Sequence, residues 1–92
     1  MIQSFADKNT EAFFNGKHVR AFQGFAAQAE RRLNVLDAAT TLLDLANLPS
    51  NRLEMLSGDR AGQRSIRINQ QWRICFVWFD DGPHDVEIVD YH

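Results

Sequence analysis

The last three residues of the chain, Asp90, Tyr91 and His92, bring a carboxylate, a phenol and an imidazole together. Carboxylate and imidazole side chains are common proton donors and acceptors, and imidazole titrates close to neutral pH. A phenol can stack on a nucleobase or hydrogen-bond a phosphate. These residue types predict an acid–base site at the C-terminus, although an ordinary polar chain end would have the same composition.

Arginine is concentrated between residues 52 and 73. Five arginines stand there against Glu54 and Asp59, a net charge of +3, whereas residues 80–92 carry five acidic groups and no Lys or Arg. Guanidinium groups bind phosphates and carboxylates in a bidentate manner, so this stretch is a candidate anion-binding surface. A solvated strand face paired with the acidic tail is the alternative. The five are Arg52, Arg60, Arg64, Arg67 and Arg73.

Together these side chains suit RNA cleavage without a metal or another cofactor. The ribose 2′-OH loses a proton as it attacks phosphorus, the 5′-oxygen gains one as it leaves, and negative charge builds up on the phosphoryl oxygens. Asp90 or His92 can supply the acid and the base. Arg73 can stabilise the developing charge, helped by Arg60 or Arg67.

The strand that carries Arg73 is the clearest element of the second half. Residues 72–79, Trp-Arg-Ile-Cys-Phe-Val-Trp-Phe, are apolar on both faces, which is typical of a central strand covered on both sides. Side chains alternate along a strand, so Arg73 lies on the face opposite Trp72. Residues 63–68 also alternate, and Arg67 on that strand could join Arg73.

The first half of the chain predicts helices. Asp7 is a candidate N-cap and Gly16 a candidate end of a first helix. From Phe22 to Leu43, apolar residues recur at spacings of three or four. This pattern predicts one long amphipathic helix, which Pro49 terminates.

The predicted fold class is α+β, in one domain over residues 1–92. A short N-terminal strand is followed by two helices, which pack on one face of a twisted antiparallel sheet. The strands are predicted at 1–5, 53–56, 63–68, 72–79 and 86–92, and the last three are joined by turns at 69–71 and 80–84.

The composition indicates a cytoplasmic protein with no membrane partner. Cys75 is the one cysteine, so it cannot form an internal disulfide, and a small core residue is its simplest role. No apolar run approaches the ~20 residues of a membrane span, and the first residues lack the basic start of a secretory signal. His18, His84 and His92 do not have the spacing of metal ligands, so no metal site is predicted.

Four segments follow one another in a characteristic order: 57–62 (Ser-Gly-Asp-Arg-Ala-Gly), 65–69 (Ser-Ile-Arg-Ile-Asn), 71–76 (Gln-Trp-Arg-Ile-Cys-Phe) and 86–92 (Val-Glu-Ile-Val-Asp-Tyr-His). With Ile2-Gln-Ser-Phe at the start, they resemble the HigB-type toxins of the RelE/ParE superfamily over essentially the whole chain. The resemblance implies a RelE-like fold and a type II toxin that cuts mRNA in the ribosomal A site.

The same resemblance implies roles for particular residues and partners. Arg73 would contact the scissile phosphate, and Asp90, Tyr91 and His92 would act at the scissile bond. A helix-turn-helix antitoxin, HigA-like, would bind the toxin, and operator DNA would be contacted only through that antitoxin. The ribosome would supply much of the RNA binding. The expected RNA-binding residues of the chain itself are Arg60, Arg64, Arg67 and Glu54.

One region departs from the family pattern. Some HigB-like ribonucleases have a histidine and a lysine just before the Gly-Asp-Arg turn, where this chain has Glu54 and Ser57. Losing an imidazole and a cation there predicts a weak, slow enzyme. Glu54 could serve as an alternative base, or its charge could hinder the approach of RNA.

Two other functions remain compatible with the sequence. A ParE-like toxin would use the same scaffold to inhibit DNA gyrase, and it should tolerate deletion of the terminal Asp-Tyr-His. A non-catalytic protein that binds RNA or the ribosome would inhibit growth without producing new RNA ends.

Overall fold

The computed structural model describes residues 1–90 and has the predicted α+β architecture. Within these residues, four antiparallel strands form one sheet in the order β1-β2-β3-β4. The strands are β1 (Glu54–Met55), β2 (Arg64–Arg67), β3 (Trp72–Phe79) and β4 (Gly82–Asp90). The helices are α1 (Lys8–Phe14), α2 (Ala26–Ala38) and α3 (Leu42–Ala46), with 3-10 turns at Arg20–Phe25, Pro49–Asn51 and Gly58–Arg60.

The N-terminal segment covers the edge of β4 but forms little strand of its own. Phe5 makes a single parallel bridge to Val86, supported by hydrogen bonds from Gln3 N to Pro83 O and from Ala6 N to Val86 O at 2.9 and 3.0 Å. This segment leads into α1, which begins after Asp7 as predicted. The edge strand therefore has part of its backbone paired by the start of the chain, which limits edge-to-edge association.

The core lies between the helices and one face of the sheet. Ile74 and Phe76 of β3 are fully buried on that face. Trp72 packs there as well, with its ring stacked on Phe25 at a centroid distance of 4.6 Å. From the 3-10 turn and α2, the buried side chains are Phe22, Phe25, Ala29, Leu33 and Leu36. The alternation predicted for residues 72–79 is confirmed.

The apolar spacing predicts one long second helix, and this prediction is wrong in its length. The helix begins as a 3-10 turn, and α2 ends at Ala38 because Ala39 is extended, with φ −68° and ψ 134°. A new helix starts after Thr41, whose hydroxyl accepts a hydrogen bond from Asp44 N while the Asp44 carboxylate accepts from Thr41 N. This capping box competes locally with continuation of the helix. Leu43 is consequently 65% exposed.

The predicted turn over residues 80–84 is also too long. Asp80 and Asp81 alone form the turn, and β4 begins at Gly82, whose φ of 123° suits glycine. Pro83 is accommodated because it lies on the edge strand, where its carbonyl accepts from Gln3 N. No helix within residues 1–90 is long and apolar enough to cross a membrane.

Candidate active site

The sheet face turned away from the helices gathers polar side chains from three strands. In the antiparallel register Arg67 lies opposite Arg73, and Ser65 lies opposite both Cys75 and Glu54. Residues directly opposite one another project to the same face. Glu54, Ser65, Arg67 and Arg73 therefore share one surface, as the alternation of β2 and β3 predicts for the two arginines.

Arg73 is held in one orientation by hydrogen bonds to neighbouring groups. Its side chain is only 9% exposed. Nε donates to Ser65 Oγ at 2.7 Å, and Nη2 donates to the backbone carbonyls of Arg52 at 2.6 Å and Ser65 at 3.4 Å. Within residues 1–90, Nη1 makes no hydrogen bond. The guanidinium is thus anchored through Nε and Nη2, and Nη1 remains available to an anion.

A small pocket of about 270 Å³ lies beside this guanidinium. Three arginines and one carboxylate contribute to its wall, a local charge of +2 at neutral pH. A concave surface with this excess of guanidinium groups is suited to a phosphate. The lining residues are Arg52, Glu54, Arg67, Asn69, Gln70 and Arg73.

Glu54 brings a carboxylate to the same pocket. Its Oε1 lies 3.9 Å from Nη1 of Arg73, and its side chain is 52% exposed. The separation exceeds a hydrogen bond, so an acceptor bound by Nη1 could stand near both groups. A partly exposed carboxylate beside a bound phosphate can accept a proton from an attacking hydroxyl. The structure therefore places Glu54 beside the arginines of the pocket.

Arg52 adopts a backbone conformation that is uncommon for a residue with a side chain. Its φ of 44° and ψ of 55° lie in the left-handed region, which costs an L-residue about 1–2 kcal/mol. This conformation directs its carbonyl to Arg73. The sequence places Arg52 in the arginine cluster, but its part in the site is visible only in the structure, as are those of Ser65, Asn69 and Gln70.

Arg60 and Arg64 do not join the pocket. Nη1 of Arg60 bonds Gln63 Oε1 at 3.0 Å and forms an ion pair with Glu87 at 3.2 Å. Arg64 lies opposite the buried Phe76, so it projects from the helix-side face of the sheet. The structure therefore brings Arg67 to Arg73 but not the other two predicted RNA-binding arginines.

Asp90 is also separated from Arg73. It pairs with Trp72, whereas Arg73 pairs with Val89, and its carboxylate accepts a hydrogen bond from Gln71 Nε2 at 3.0 Å. A β-bulge between Cys75 and Val77 shifts the register, and a one-residue shift changes which β4 side chains share a face with Arg73. Tyr91 and His92 lie outside the described residues.

The buried thiol of Cys75 matches its expected role as a small core residue. Burial raises the pKa of the Cys75 thiol, with Arg60 acting in the opposite direction, so the thiol stays protonated and is a poor nucleophile at neutral pH. Among residues 1–90, no three His, Cys, Asp or Glu side chains are grouped so that they could hold a metal ion.

Comparison with known proteins identifies the family. The model of a family described as "RelE-like toxin of type II toxin-antitoxin system HigB" matches residues 3–92. The chain belongs to this family. The resemblance carried by the four segments is thereby confirmed, and a HigB-like toxin of this kind has an antitoxin as its partner.

Two sequence relatives of this HigB-like toxin cover most or all of the chain. "Toxin HigB-1" of Vibrio cholerae serotype O1 (strain ATCC 39315 / El Tor Inaba N16961) is 40% identical over 82 residues, which span 87% of this chain and 86% of the relative. "Endoribonuclease HigB" of Proteus vulgaris is 34% identical over 96 residues, which span 100% of both chains.

A solved structure supports the fold of this HigB-like toxin. A chain of the YoeB–YefM complex from Staphylococcus aureus superposes with a TM-score of 0.59 over 100% of this chain and 98% of the other. At 17% sequence identity, the similarity concerns the backbone architecture and agrees with the predicted RelE-like α+β fold.

Proposed function

We propose that this toxin is a ribosome-dependent endoribonuclease that cuts mRNA in the pocket beside Arg73. The observation that carries the proposal is the placement of Nη1 of Arg73, which makes no hydrogen bond within residues 1–90 and forms a loose ion pair with the Glu54 carboxylate at 3.9 Å. A guanidinium that can bind a phosphate and a carboxylate that can accept a proton therefore lie side by side. The full-length similarity to a relative called an endoribonuclease agrees with this chemistry.

In the proposed reaction the scissile phosphate binds Nη1 of Arg73, and Arg67 and Arg52 add positive charge from the pocket wall. Glu54 takes the proton of the ribose 2′-OH, whose oxygen forms a bond to phosphorus. The bond from phosphorus to the 5′-oxygen breaks, which leaves a 2′,3′-cyclic phosphate and a 5′-OH. Arg73 stabilises the charge that builds up on the phosphoryl oxygens. The reaction needs no metal.

The leaving 5′-oxygen requires a proton, and we assign its delivery to the end of the chain. Asp90 or His92 is the proposed donor, and Tyr91 is the proposed stacking partner for a base. Asp90 lies opposite Trp72 and therefore projects from the helix-side face of the sheet, so it would have to turn towards the Arg73 pocket as well as give up its hydrogen bond from Gln71.

The proposed dependence on the ribosome follows from the charges of the toxin. Affinity for RNA comes largely from contacts between cations and phosphates, yet the chain has a net charge of −2. Glu87 partly neutralises Arg60, and Arg64 faces the other side of the sheet. Three arginines around one pocket suffice to orient a phosphate but offer few further contacts. The ribosome would therefore present the message in the cytoplasm.

The proposed antitoxin is a HigA-like protein with a helix-turn-helix domain. The toxin family implies an antitoxin, and a helix-turn-helix domain would bring the complex to operator DNA. The toxin itself would contact that DNA only through its partner.

The test is a cleavage assay on translating ribosomes with mapping of 5′ ends along the message. Wild-type toxin should produce new ends that require translation, and Arg73→Ala and deletion of residues 90–92 should abolish them. Arg31→Ala, on the exposed surface of α2, is the matched arginine control and should cut normally. Growth arrest without new ends would reject the nuclease and favour a protein that acts by occupancy. Loss of the supercoiling activity of DNA gyrase in the presence of the toxin would instead favour gyrase inhibition.

A further inference from the structure

A buried asparagine with no part in the proposed chemistry lies behind the Arg52 turn. Asn51 is fully buried. Its Oδ1 accepts a hydrogen bond from Nη1 of Arg32 at 2.6 Å, and its Nδ2 donates to the carbonyl of Leu45 at 3.1 Å. Both ends of the amide are therefore used, and they tie the Pro49–Asn51 turn to α2 and α3.

This turn delivers the chain to Arg52 in its left-handed conformation. Asn51 N donates to Leu48 O at 2.9 Å and Arg52 N donates to Pro49 O at 3.1 Å, which closes the turn. The Arg52 carbonyl then receives Nη2 of Arg73 at 2.6 Å. The fixed side chain of Asn51 is thus one residue from the Arg52 carbonyl, which orients the guanidinium of Arg73.

We propose that Asn51 is a positioning residue for Arg73 and acts through the carbonyl of Arg52. The inference rests on the proposed function, because it names a residue that prepares the same site. A non-glycine residue with positive φ persists only where its surroundings constrain it, and the two amide hydrogen bonds of Asn51 supply such a constraint. Arg32 contributes from the surface of α2 by holding Oδ1.

Loss of the Asn51 amide should release the Arg52 backbone from the left-handed region. Its carbonyl would then leave Nη2 of Arg73, and the guanidinium would keep Nε on Ser65 as its principal anchor. Nη1 would no longer be directed at one point of the pocket. Misplacement of a reacting group by about 1 Å can reduce the rate about 10²-fold. The effect belongs to the chemical step and not to binding of the ribosome.

The experiment is single-turnover cleavage on mRNA-programmed ribosomes with toxin in excess, which yields a maximal rate and a half-saturating toxin concentration. Asn51→Ala should lower the maximal rate by about 10²-fold and leave the half-saturating concentration nearly unchanged. Arg32→Met should lower the rate in the same direction but less. Arg31→Met, at the exposed neighbouring arginine of α2, should keep the maximal rate.

Two controls separate positioning from stability and from failure of the proposed function. Val86→Ala removes methyl groups from the core at another part of the sheet, so it lowers stability and should keep the maximal rate. Arg73→Ala gives the baseline cleavage rate of a toxin that lacks the guanidinium. If wild type cuts and Arg73→Ala does not, normal maximal rates in Asn51→Ala and Arg32→Met overturn the inference alone.

Three further outcomes also support or overturn the positioning role of Asn51. A rate loss in Val86→Ala as deep as that in Asn51→Ala would show that activity follows stability, and it would overturn the inference. If Asn51→Ala does not fold, Arg32→Met and Arg31→Met replace it: a reduced rate in the first with a retained rate in the second supports positioning, and any other pair rejects it. A wild type that does not cut rejects the proposed function and the inference with it.

Discussion

Arg67 and Arg73 lie directly opposite each other in the β2–β3 ladder, on the face that carries the pocket. Nε of Arg67 donates to the carbonyl of Asn69 at 3.1 Å, and Nη1 of Arg73 lies 3.9 Å from the Glu54 carboxylate. Like charges directly opposite across a ladder destabilise the pair, on the scale of about 0.2–1 kcal/mol. An anion between the two guanidinium groups would relieve this repulsion.

Inorganic phosphate is therefore expected to raise the melting temperature of the wild type more than that of Arg67→Gln. A ligand that binds only the folded state at a hundred times its Kd contributes about 2.7 kcal/mol. The variant loses one anion-binding group and also the repulsion, so it should be more stable without phosphate and gain less from it. Calorimetry at matched ionic strength measures both effects. Arg31→Gln is the control, and equal gains in all three proteins would contradict an anion site.

Glu54→Gln should lower the rate of cleavage on ribosomes by about 10²–10⁴-fold, which is the usual contribution of a general base. The amide keeps the shape of the side chain but cannot take the proton of the 2′-OH. The half-saturating toxin concentration should change little or fall, because the substitution removes a negative charge from an RNA-facing pocket. Glu11→Gln, exposed on α1, serves as the control. Wild-type cleavage by Glu54→Gln would remove this carboxylate from the chemistry.

Ser57→Lys should increase the cleavage rate at low salt and have a smaller effect at high salt. Ser57 is exposed and precedes the Gly58–Arg60 turn just after β1, at the position where the resemblance to HigB-like ribonucleases leads us to expect a lysine. An added cation three residues after Glu54 would attract the RNA backbone, and salt would screen that attraction. Cleavage at several salt concentrations measures the effect, with Ser50→Lys as the control. An unchanged rate would show that the missing lysine does not limit this enzyme.

The strand that carries Arg73 could be predicted to its ends from the sequence. Residues 72–79 combine an apolar run with side chains that alternate between two faces, and no competing local structure is encoded there. The separation of Arg73 from Trp72 follows from that alternation alone. The same rule explains why Arg67 shares a face with Arg73. Arg64 lies three residues before Arg67 on β2, so its side chain projects from the other face.

The break between α2 and α3 could not be predicted from apolar spacing. The stripe from Phe22 to Leu43 continues at helical intervals through the break, so periodicity alone extends the helix. The capping box of Thr41 and Asp44 is a local interaction that restarts the helix in a new direction. Leu45, off the predicted stripe, then becomes fully buried.

The rest of the candidate site depends on backbone groups and register. Arg52 supplies a carbonyl to Arg73, and a backbone acceptor has no signature in residue type. The pairing of Asp90 with Trp72 depends on the short β3–β4 turn and on the bulge at Cys75 and Val77. Each shifts the register, and a shift of one residue changes the face of every later side chain.

The Asp44 carboxyl, which caps α3 at its junction with α2, should contribute stability near neutral pH that is lost in acid. Backbone and side-chain hydrogen bonds from Thr40, followed by those from Thr41, lower the pKa of the Asp44 carboxyl from its ordinary value of 3.8. A carboxyl with a lowered pKa in the folded state contributes stability above its unfolded pKa and loses it as the pH falls through the folded pKa. Asp44→Asn should therefore be less stable than wild type near neutral pH, and the difference should shrink below about pH 4. Urea unfolding midpoints across this range measure it, with the exposed Asp59→Asn as the control. If the midpoints of wild type and Asp44→Asn fall in parallel, the capping carboxylate is not the group that titrates.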